Sequence, residues 1–343
     1  MKAVNYIFAA LATGFLLASC DTKIEPLAVQ KPNIYTDAYY ENLREWKSTP
    51  HEVSYMYFAQ WSAQNSMAIR FDGLPDSLDI ASVWGGGIPP QENVKLWEQL
   101  RWAQQVQGTK IIYVAIVRLW AEDDSHDFKQ ALNAAEAMPQ GTAEEREARE
   151  QKILEAVDMY AMYYVDQIFN AKLDGFDADY EPEGDKLTGD YFRRFIKKLA
   201  EYMGPNPDQT KEERLALIQE RFGKEETDVN KILMFDCYNR TPESGLYPYI
   251  DYFVNQNYGG GTPRKWGDIP YEKSIYCVNW GDNWNKNVPE QMIRQASWEP
   301  ETGHKGGFGA YYGQRDYFIT ESNPEPYWLF RHCIQIQNPA VTK

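Results

Sequence analysis

The sequence is poor in the residues that build disulfide frameworks and metal centres. Its 343 residues include 4 Cys and 4 His. Apart from Cys20, the odd set of remaining cysteines predicts buried free thiols and no disulfide framework: Cys237, Cys277 and Cys333. The histidines are scattered without the spacing of metal ligands, so we expect no metal site. No phosphate-cradling glycine loop occurs either, and we expect no cofactor.

The chain also lacks an excess of positive charge and has few long apolar runs. Its 50 Asp and Glu outnumber its 35 Lys and Arg, which gives a formal net charge of −15. Because nucleic acids are bound through basic surfaces, this balance argues against a nucleic-acid partner. Beyond the N-terminal segment, no apolar stretch approaches the length of a transmembrane helix. We therefore expect contact with a membrane only through the N-terminus.

The N-terminal segment has the features of a targeting sequence. Lys2 supplies a positive charge, and residues 6–17 form an apolar run that is too short to span a bilayer comfortably. The L-A-S-C sequence that ends at Cys20 resembles the lipobox of bacterial lipoproteins. This resemblance implies a lipoprotein signal peptide over residues 1–19, lipidation of Cys20, and a protein anchored to the bacterial outer membrane on its cell-surface or periplasmic face. The alternative is an ordinary secretory signal that is cut near Ser19.

The remainder of the chain divides into a polar lead-in and one large domain. Residues 20–50 predict a tether and lead-in, and residues 51–338 have a length that is normal for a barrel. Short β-branched or aromatic runs predict eight strands, over residues 52–60, 77–84, 110–117, 175–181, 232–239, 252–258, 274–280 and 307–312. Helical patterns fall between them, over residues 93–107, 143–171, 191–203, 290–298 and 324–337. This alternation predicts an α/β fold, a (β/α)8 TIM barrel, with little helix after the fifth and sixth strands.

The fourth predicted strand carries three acidic residues spaced by two. Asp177, Asp179 and Glu181 should share one face of the strand, because side chains two apart point to the same side. Like charges at such range do not all ionise readily, and a trapped proton is what a general acid needs. Two other interpretations are open, a calcium loop and a solvated acidic turn. An EF-hand would require Gly where this chain has Pro182.

The full pattern D-G-x-D-x-D-aromatic-E resembles the signature of glycoside hydrolase family 18, the chitinases and endo-β-N-acetylglucosaminidases. Residues 174–181 fill every position of this signature. The resemblance implies substrate-assisted catalysis, in which the sugar's own acetamido group is the nucleophile. It implies that Glu181 is the general acid and base, that Asp179 orients the acetamido group, and that Asp177 tunes the charge of Asp179.

Other candidate residues follow the predicted strands. Gln256-Asn257-Tyr258 resembles the family segment in which a Tyr hydroxyl contacts the acetamido carbonyl, so Tyr258 joins the predicted catalytic set. Working residues of such barrels lie at the C-terminal ends of strands, and flat aromatic rings pack on sugars. Polar or large aromatic side chains recur at these ends and are the predicted substrate-binding residues: Gln60, Trp84, Asn239, Gln256, Asn257, Asn279, Trp280 and Tyr312.

One departure from many chitinases guides the substrate prediction. Residues 309–313 read G-A-Y-Y-G, without the Trp that often ends the eighth strand. This absence and the expected lipid anchor favour the chitobiose core of N-linked glycans, or another GlcNAc-containing oligosaccharide, as the partner. Two alternatives stay open: a chitinase, and a non-catalytic surface glycan-binding protein on the same barrel.

Overall fold

Eight parallel strands close into a barrel in the computed structural model, which describes residues 31–340. The strands follow one another around the barrel in chain order, and β8 pairs with β1 to close it. They are β1 Val53–Ala59, β2 Ile80–Trp84, β3 Lys110–Ile116, β4 Gly175–Asp179, β5 Ile232–Cys237, β6 Tyr252–Asn255, β7 Ser274–Asn279 and β8 Gly307–Tyr311. The predicted TIM barrel and all eight strands are confirmed, although every strand is shorter than predicted.

Helices surround the barrel. Among the described residues they are α1 Asp37–Lys47, α2 Val94–Trp102, α3 Asp127–Glu136, α4 Ala143–Asn170, α5 Gly189–Ala200, α6 Lys211–Phe222, α7 Trp280–Asn283, α8 Glu290–Ser297 and α9 Trp328–Gln337. All five predicted helical segments contain a helix. Only short 3₁₀ helices, Ser244–Tyr249 and Tyr271–Lys273, lie between β5 and β6 and between β6 and β7, in agreement with the prediction of little helix after these strands. Helices α1, α3, α6 and α7 were not predicted.

Two apolar layers hold this arrangement together. One fills the barrel and includes Tyr55, Val114, Met234 and Ile275. The other lies between the strands and the helices. Every residue of β1 is buried, as expected for a parallel strand that is covered on both faces. Polar side chains inside the barrel are therefore held away from water, unless they lie at one of its ends.

A glycine begins the acidic strand. A Cβ on Gly175 would lie 2.2 Å from the carbonyl oxygen of Ile232, so only glycine allows β4 to approach β5 here. The preceding Asp174 accepts a hydrogen bond from the backbone N–H of Ile111 at 2.8 Å, which joins the start of β4 to β3. The first two residues of the acidic motif thus fix the register that places its later carboxylates.

The lead-in contains a helix. Thr36 accepts a hydrogen bond from the backbone N–H of Tyr39 and begins α1, and the ring of Tyr40 packs edge-on against Trp102 at 5.9 Å. The end of the predicted tether, residues 20–50, therefore lies against the barrel. The predicted signal peptide, residues 1–19, and the lipidation site Cys20 lie outside the described residues.

Two further observations concern the described part of the chain. No helix within residues 31–340 is long and apolar enough to cross a bilayer. The thiols of Cys237, Cys277 and Cys333 are free and buried, which confirms the prediction made from their odd number.

Candidate active site

The acidic residues of β4 lead from the barrel interior to its C-terminal end. Asp177 is fully buried and Asp179 is 4% exposed, whereas the side chain of Glu181 is 37% exposed. The predicted strand 175–181 ends at Asp179, so Glu181 lies two residues beyond the strand. The backbone N–H of Tyr180 donates to the carbonyl oxygen of Asp236 at 2.9 Å and fixes the path of the chain toward Glu181.

The innermost carboxyl group is held by a tyrosine. The Tyr55 hydroxyl on β1 donates a hydrogen bond of 2.6 Å to Asp177 Oδ2. Burial raises the pKa of Asp177 to about 7, even though the hydrogen bond from Tyr55 favours the charged form. Asp177 is therefore a buried group that retains its proton to a much higher pH than an ordinary aspartate does.

Asp179 has the most perturbed environment of the three motif carboxyls. Burial raises its pKa to about 10, and the neighbouring carboxyl of Asp236 adds to this rise. The side-chain amide of Gln256 donates to Asp179 Oδ1 at 3.3 Å. At neutral pH Asp179 is thus a neutral, hydrogen-bonded carboxylic acid.

Asp236 is the buried acid that sequence reasoning missed. It lies on β5 directly beside Asp179 in the strand register and is fully buried. The Gln256 amide that contacts Asp179 also donates a hydrogen bond to Asp236 Oδ1. An aspartate within the apolar run I-L-M-F-D-C was the available signal, because a charged residue is rare inside a strand that is covered on both faces.

Arg118 was also absent from the predicted site, although it contacts Glu181 directly. It follows β3, and its Nη2 lies 2.9 Å from Glu181 Oε2. Its Nε donates a hydrogen bond of 2.5 Å to the backbone carbonyl oxygen of Glu181. This two-point contact fixes the side chain of Glu181, which lies beyond the strand ladder.

Aromatic rings form a wall next to these acids. Tyr258 lies three residues beyond the end of β6, and its ring centroid is 5.3 Å from that of Tyr311 on β8. Tyr311 also packs edge-on against Trp84 at 6.4 Å. Tyr238, which was not predicted, is 52% exposed and stacks on Tyr258 at 6.1 Å. Tyrosines thus occupy the end of β8, where the sequence lacks a tryptophan.

Several predicted substrate-binding residues lie at the same end of the barrel. Trp84 ends β2, and the side chain of Gln256 is buried between Asp179 and Asp236. Gln60 directly follows β1, and Asn239 lies two residues after β5. Both are exposed and have positive φ angles, of 58° and 51° respectively. Tyr312 follows β8, and its ring packs edge-on against Tyr311 at 4.7 Å.

Three predicted residues have other surroundings. The Asn257 amide donates to the carbonyl oxygen of Gly261 at 2.7 Å and to Gln295, so it fixes a loop against α8. Asn279 caps α7 by accepting a hydrogen bond from the backbone N–H of Asp282 at 3.0 Å. Trp280 is 1% exposed and packs in the layer between strands and helices, so its ring is not accessible to a sugar.

The segment Gln256-Asn257-Tyr258 lies beyond β6 and not within the predicted strand over residues 252–258. Strand β6 ends at Asn255, so the period of two does not apply to these residues. The backbone N–H of Tyr258 instead donates to the carbonyl oxygen of Gln256 at 2.7 Å, in a tight turn. The turn still directs both side chains toward the acidic residues.

The described residues offer acid–base chemistry and no arrangement for a metal. Within residues 31–340, no group of three or more His, Cys, Asp and Glu side chains could hold a metal ion. The buried acids Asp179 and Asp236, the more exposed Glu181 and Tyr258 instead converge at the C-terminal ends of β4, β5 and β6. Such a set can bind a polar group, transfer a proton and exclude water from its inner part.

Comparison with known proteins places these features in a family. The model of glycoside hydrolase family 18, BT1044-like, matches residues 19–318. Endo-beta-N-acetylglucosaminidase F2 of Elizabethkingia meningoseptica is 26% identical over 385 residues, covering 99% of this chain and 100% of that protein.

Solved structures share the fold. A selenomethionine form of BT1044 with a Glu-to-Gln substitution superposes with a TM-score of 0.64 at 20% identity, covering 88% of this chain and 93% of that one. The apo endo-beta-N-acetylglucosaminidase of Cordyceps militaris superposes with a TM-score of 0.57 at 21% identity, covering 90% of this chain and 98% of that one. A double mutant of that enzyme was solved with fucosyl-N-acetylglucosamine-Asn. With a family model that matches most of its length, and with the signature acids assembled at the end of β4, this chain belongs to glycoside hydrolase family 18, in its BT1044-like group.

Proposed function

We propose that this chain is a retaining, substrate-assisted endo-β-N-acetylglucosaminidase that cleaves the GlcNAc-β-1,4-GlcNAc core of N-linked glycans. The observation that carries the proposal is the gradient along β4, from the buried Asp177 through Asp179 to the accessible Glu181. Only the outermost acid can reach a glycosidic oxygen that enters from solvent. In this proposal Asp179 contacts the 2-acetamido group of the same sugar, and the fully buried Asp177 tunes the charge of Asp179.

The reaction proceeds in two balanced steps. Glu181 donates its proton to the glycosidic oxygen while the acetamido oxygen attacks C1, so the C1–O bond breaks and an oxazolinium ion forms. Asp179 orients the acetamido N–H, and Tyr258 contacts its carbonyl. Water then attacks C1 from the face that the leaving group vacated and returns a proton to Glu181. Two displacements at C1 retain its configuration.

The likeness to N-glycan enzymes supports the choice of substrate. The curated relative is an endo-beta-N-acetylglucosaminidase, and a fungal structure with the same fold holds a fucosylated N-acetylglucosamine-Asn. The test is digestion of high-mannose and complex N-glycoproteins, followed by mass spectrometry. We expect a loss of mass that leaves a single GlcNAc on the protein, and Glu181→Gln should reduce the rate by about 10²–10⁴-fold.

A neighbouring glutamate supplies the matched control for this test. Glu183 is exposed and pairs with Arg240 on the surface, so Glu183→Gln should leave the rate unchanged. Full activity of Glu181→Gln would refute the mechanism. Release of diacetylchitobiose from chitin oligomers, with N-glycoproteins untouched, would instead identify a chitinase.

A second candidate function is glycan binding without catalysis. The observation that favours it is the ion pair between Arg118 and Glu181, because this contact engages the carboxyl group that would have to reach the glycosidic oxygen. Tight binding of an N-glycan with no product after prolonged incubation would support this candidate against the enzyme.

We also propose that the mature chain is lipid-anchored through Cys20 to the bacterial outer membrane, with residues 20–50 as tether and lead-in to the barrel of residues 51–338. The L-A-S-C sequence supports this proposal. Expression of wild type and Cys20→Ala, followed by membrane fractionation and protease treatment of intact cells, tests both the anchor and the membrane face. Equal recovery of the two proteins in the membrane fraction would contradict lipidation at Cys20.

A further inference from the structure

The family signature accounts for the acids of β4 but not for Asp236. This aspartate lies inside the barrel on β5, is fully buried, and is the register partner of Asp179. Neighbouring parallel strands are about 4.8 Å apart, so two carboxyl groups that are paired in this way on one face are close neighbours. The barrel thus contains a second carboxyl directly beside the residue assigned to the acetamido group.

One amide bridges the two carboxyl groups. The Gln256 Nε2 atom donates to Asp236 Oδ1 and, at 3.3 Å, to Asp179 Oδ1. The other oxygen, Asp236 Oδ2, makes no hydrogen bond of good geometry among the described residues, and the side chains of Asp179 and Tyr57 are its carboxyl group's other close polar neighbours. A buried oxygen of this kind is stabilised if a proton lies between it and a neighbouring carboxyl.

The groups that face Asp236 from neighbouring elements provide no positive charge. They are Tyr55 and Tyr57 on β1, Asp177 and Asp179 on β4, Tyr258 beyond β6, and Cys277 on β7. Two adjacent carboxylates without a cation cannot both remain ionised away from water. Burial raises the pKa of Asp236 well above the usual range, as it does for Asp179.

We propose that Asp236 is a positioning residue that shares one proton with Asp179 and, through the Gln256 amide, holds Asp179 turned into the barrel before substrate binds. The shared proton is a property of the resting protein. Its consequence for catalysis rests on the proposed function, because Asp179 then meets the acetamido group in a single orientation and as a neutral acid.

The test is isotope-edited infrared spectroscopy of the full chain with ¹³C-carboxyl aspartate and without substrate. At about pH 8 an ordinary aspartate is fully ionised, so a protonated carboxyl band reports only buried acids whose pKa is raised. We expect this band in the wild type, and in both Asp236→Asn and Asp179→Asn we expect it to titrate at lower pH, since the remaining acid has lost the neighbouring carboxyl with which it shares the proton. Titration at unchanged pH in either variant, or absence of the band from the wild type, would overturn the proposal.

Asp251 provides a matched control. It is a partly buried aspartate just before β6, near the other end of the barrel, and it accepts a hydrogen bond from the backbone N–H of Leu233 at 2.9 Å. Burial raises its pKa only to about 6, so Asp251→Asn should keep the band. Loss of the band in this variant would show that the spectrum reports general disturbance of the barrel, which would contradict the assignment to the Asp179–Asp236 pair.

A second variant keeps the test decisive if either asparagine variant fails to fold. The Gln256 amide favours the ionised forms of both acids, so Gln256→Leu should make the band persist to higher pH than in the wild type. A band that titrates at unchanged pH would contradict the bridge.

For the reaction, Asp236→Asn should lower kcat by about tenfold to hundredfold with little change in KM. An inactive wild type with an intact band would refute the proposed function but not the shared proton.

Discussion

Arg118 holds Glu181 at two points, the carboxylate oxygen Oε2 at 2.9 Å and the backbone carbonyl oxygen at 2.5 Å. Glu181 lies beyond the hydrogen-bonded end of β4, so the strand itself does not fix its direction. The guanidinium of Arg118 provides that constraint from the end of the neighbouring strand.

Removal of this contact should affect activity more than stability. Both side chains are about one-third exposed, at 33% and 37%, and ion pairs of this exposure stabilise proteins by about 1 kcal/mol or less. Arg118→Gln should therefore lower kcat/KM by about tenfold to hundredfold with little change in the unfolding midpoint. Arg118→Lys should not restore the rate, because an ammonium group cannot reproduce the two-point contact. Kinetics and denaturant titration together check this, with Arg240→Gln as the surface control.

The buried Tyr55 hydroxyl should stabilise the folded barrel. Tyr55→Phe removes the 2.6 Å hydrogen bond to Asp177 and leaves that carboxyl without its donor. We expect the free energy of unfolding to fall by about 1–3 kcal/mol, and the pKa of Asp177 to rise further, since Tyr55 favours the charged form. Urea denaturation measures the first effect. Tyr113→Phe is the control, because burial raises the pKa of Tyr113 and no hydrogen bond of its hydroxyl contributes to this rise. An equal loss of stability in both variants would contradict the interpretation.

Stability should decrease as the pH rises from about 4 to about 7. Burial raises the pKa of Asp316 to about 7, so the folded state holds a proton that the unfolded state releases near its ordinary value of 3.8. The stabilisation is fully present below the unfolded pKa and is lost as the pH rises through the folded one. Asp316→Asn removes this titration and should reduce the change in the free energy of unfolding between these pH values by up to about a few kcal/mol. Unfolding at several pH values, with the variant Asp268→Asn at a 91% exposed aspartate for comparison, tests the sign.

The exposed ring of Tyr238 should bind sugar by stacking. It is 52% exposed and stacks on Tyr258 at the site. Since aromatic contacts contribute about 0.5–1.5 kcal/mol, Tyr238→Ala should raise KM for N-glycopeptides by about tenfold or less, with little change in the unfolding midpoint. Tyr238→Phe keeps the ring and should keep the wild-type KM. If the phenylalanine variant instead behaves like alanine, the hydroxyl and not the ring face makes the contact.

The strands were predictable because each is a short apolar or aromatic run, and a parallel strand inside a barrel is buried on both faces. Four helices were missed, α1, α3, α6 and α7, although α6 carries an available signal in the capping box of Thr210 and Glu213. Helix α1 depends on contacts with residues distant in the chain, such as Tyr40 against Trp102. The ends of β4 and β6 were misplaced because Glu181 and Tyr258 continue the pattern of two, although the ladder of hydrogen bonds has already ended.

The linear order of residues determined the family signature and the barrel. It also determined that the acids on and after β4 become more exposed along the chain. These features follow from local spacing and from the period of a strand. Only the tertiary structure decided which partners those acids have. Asp236 lies on β5 and Arg118 follows β3, so both are distant in the chain from the acids of β4. Local spacing therefore could not predict their contacts with these acids. The same packing buried Trp280 and turned Asn257 toward α8, because a side chain at a strand end is directed by the loop that follows it.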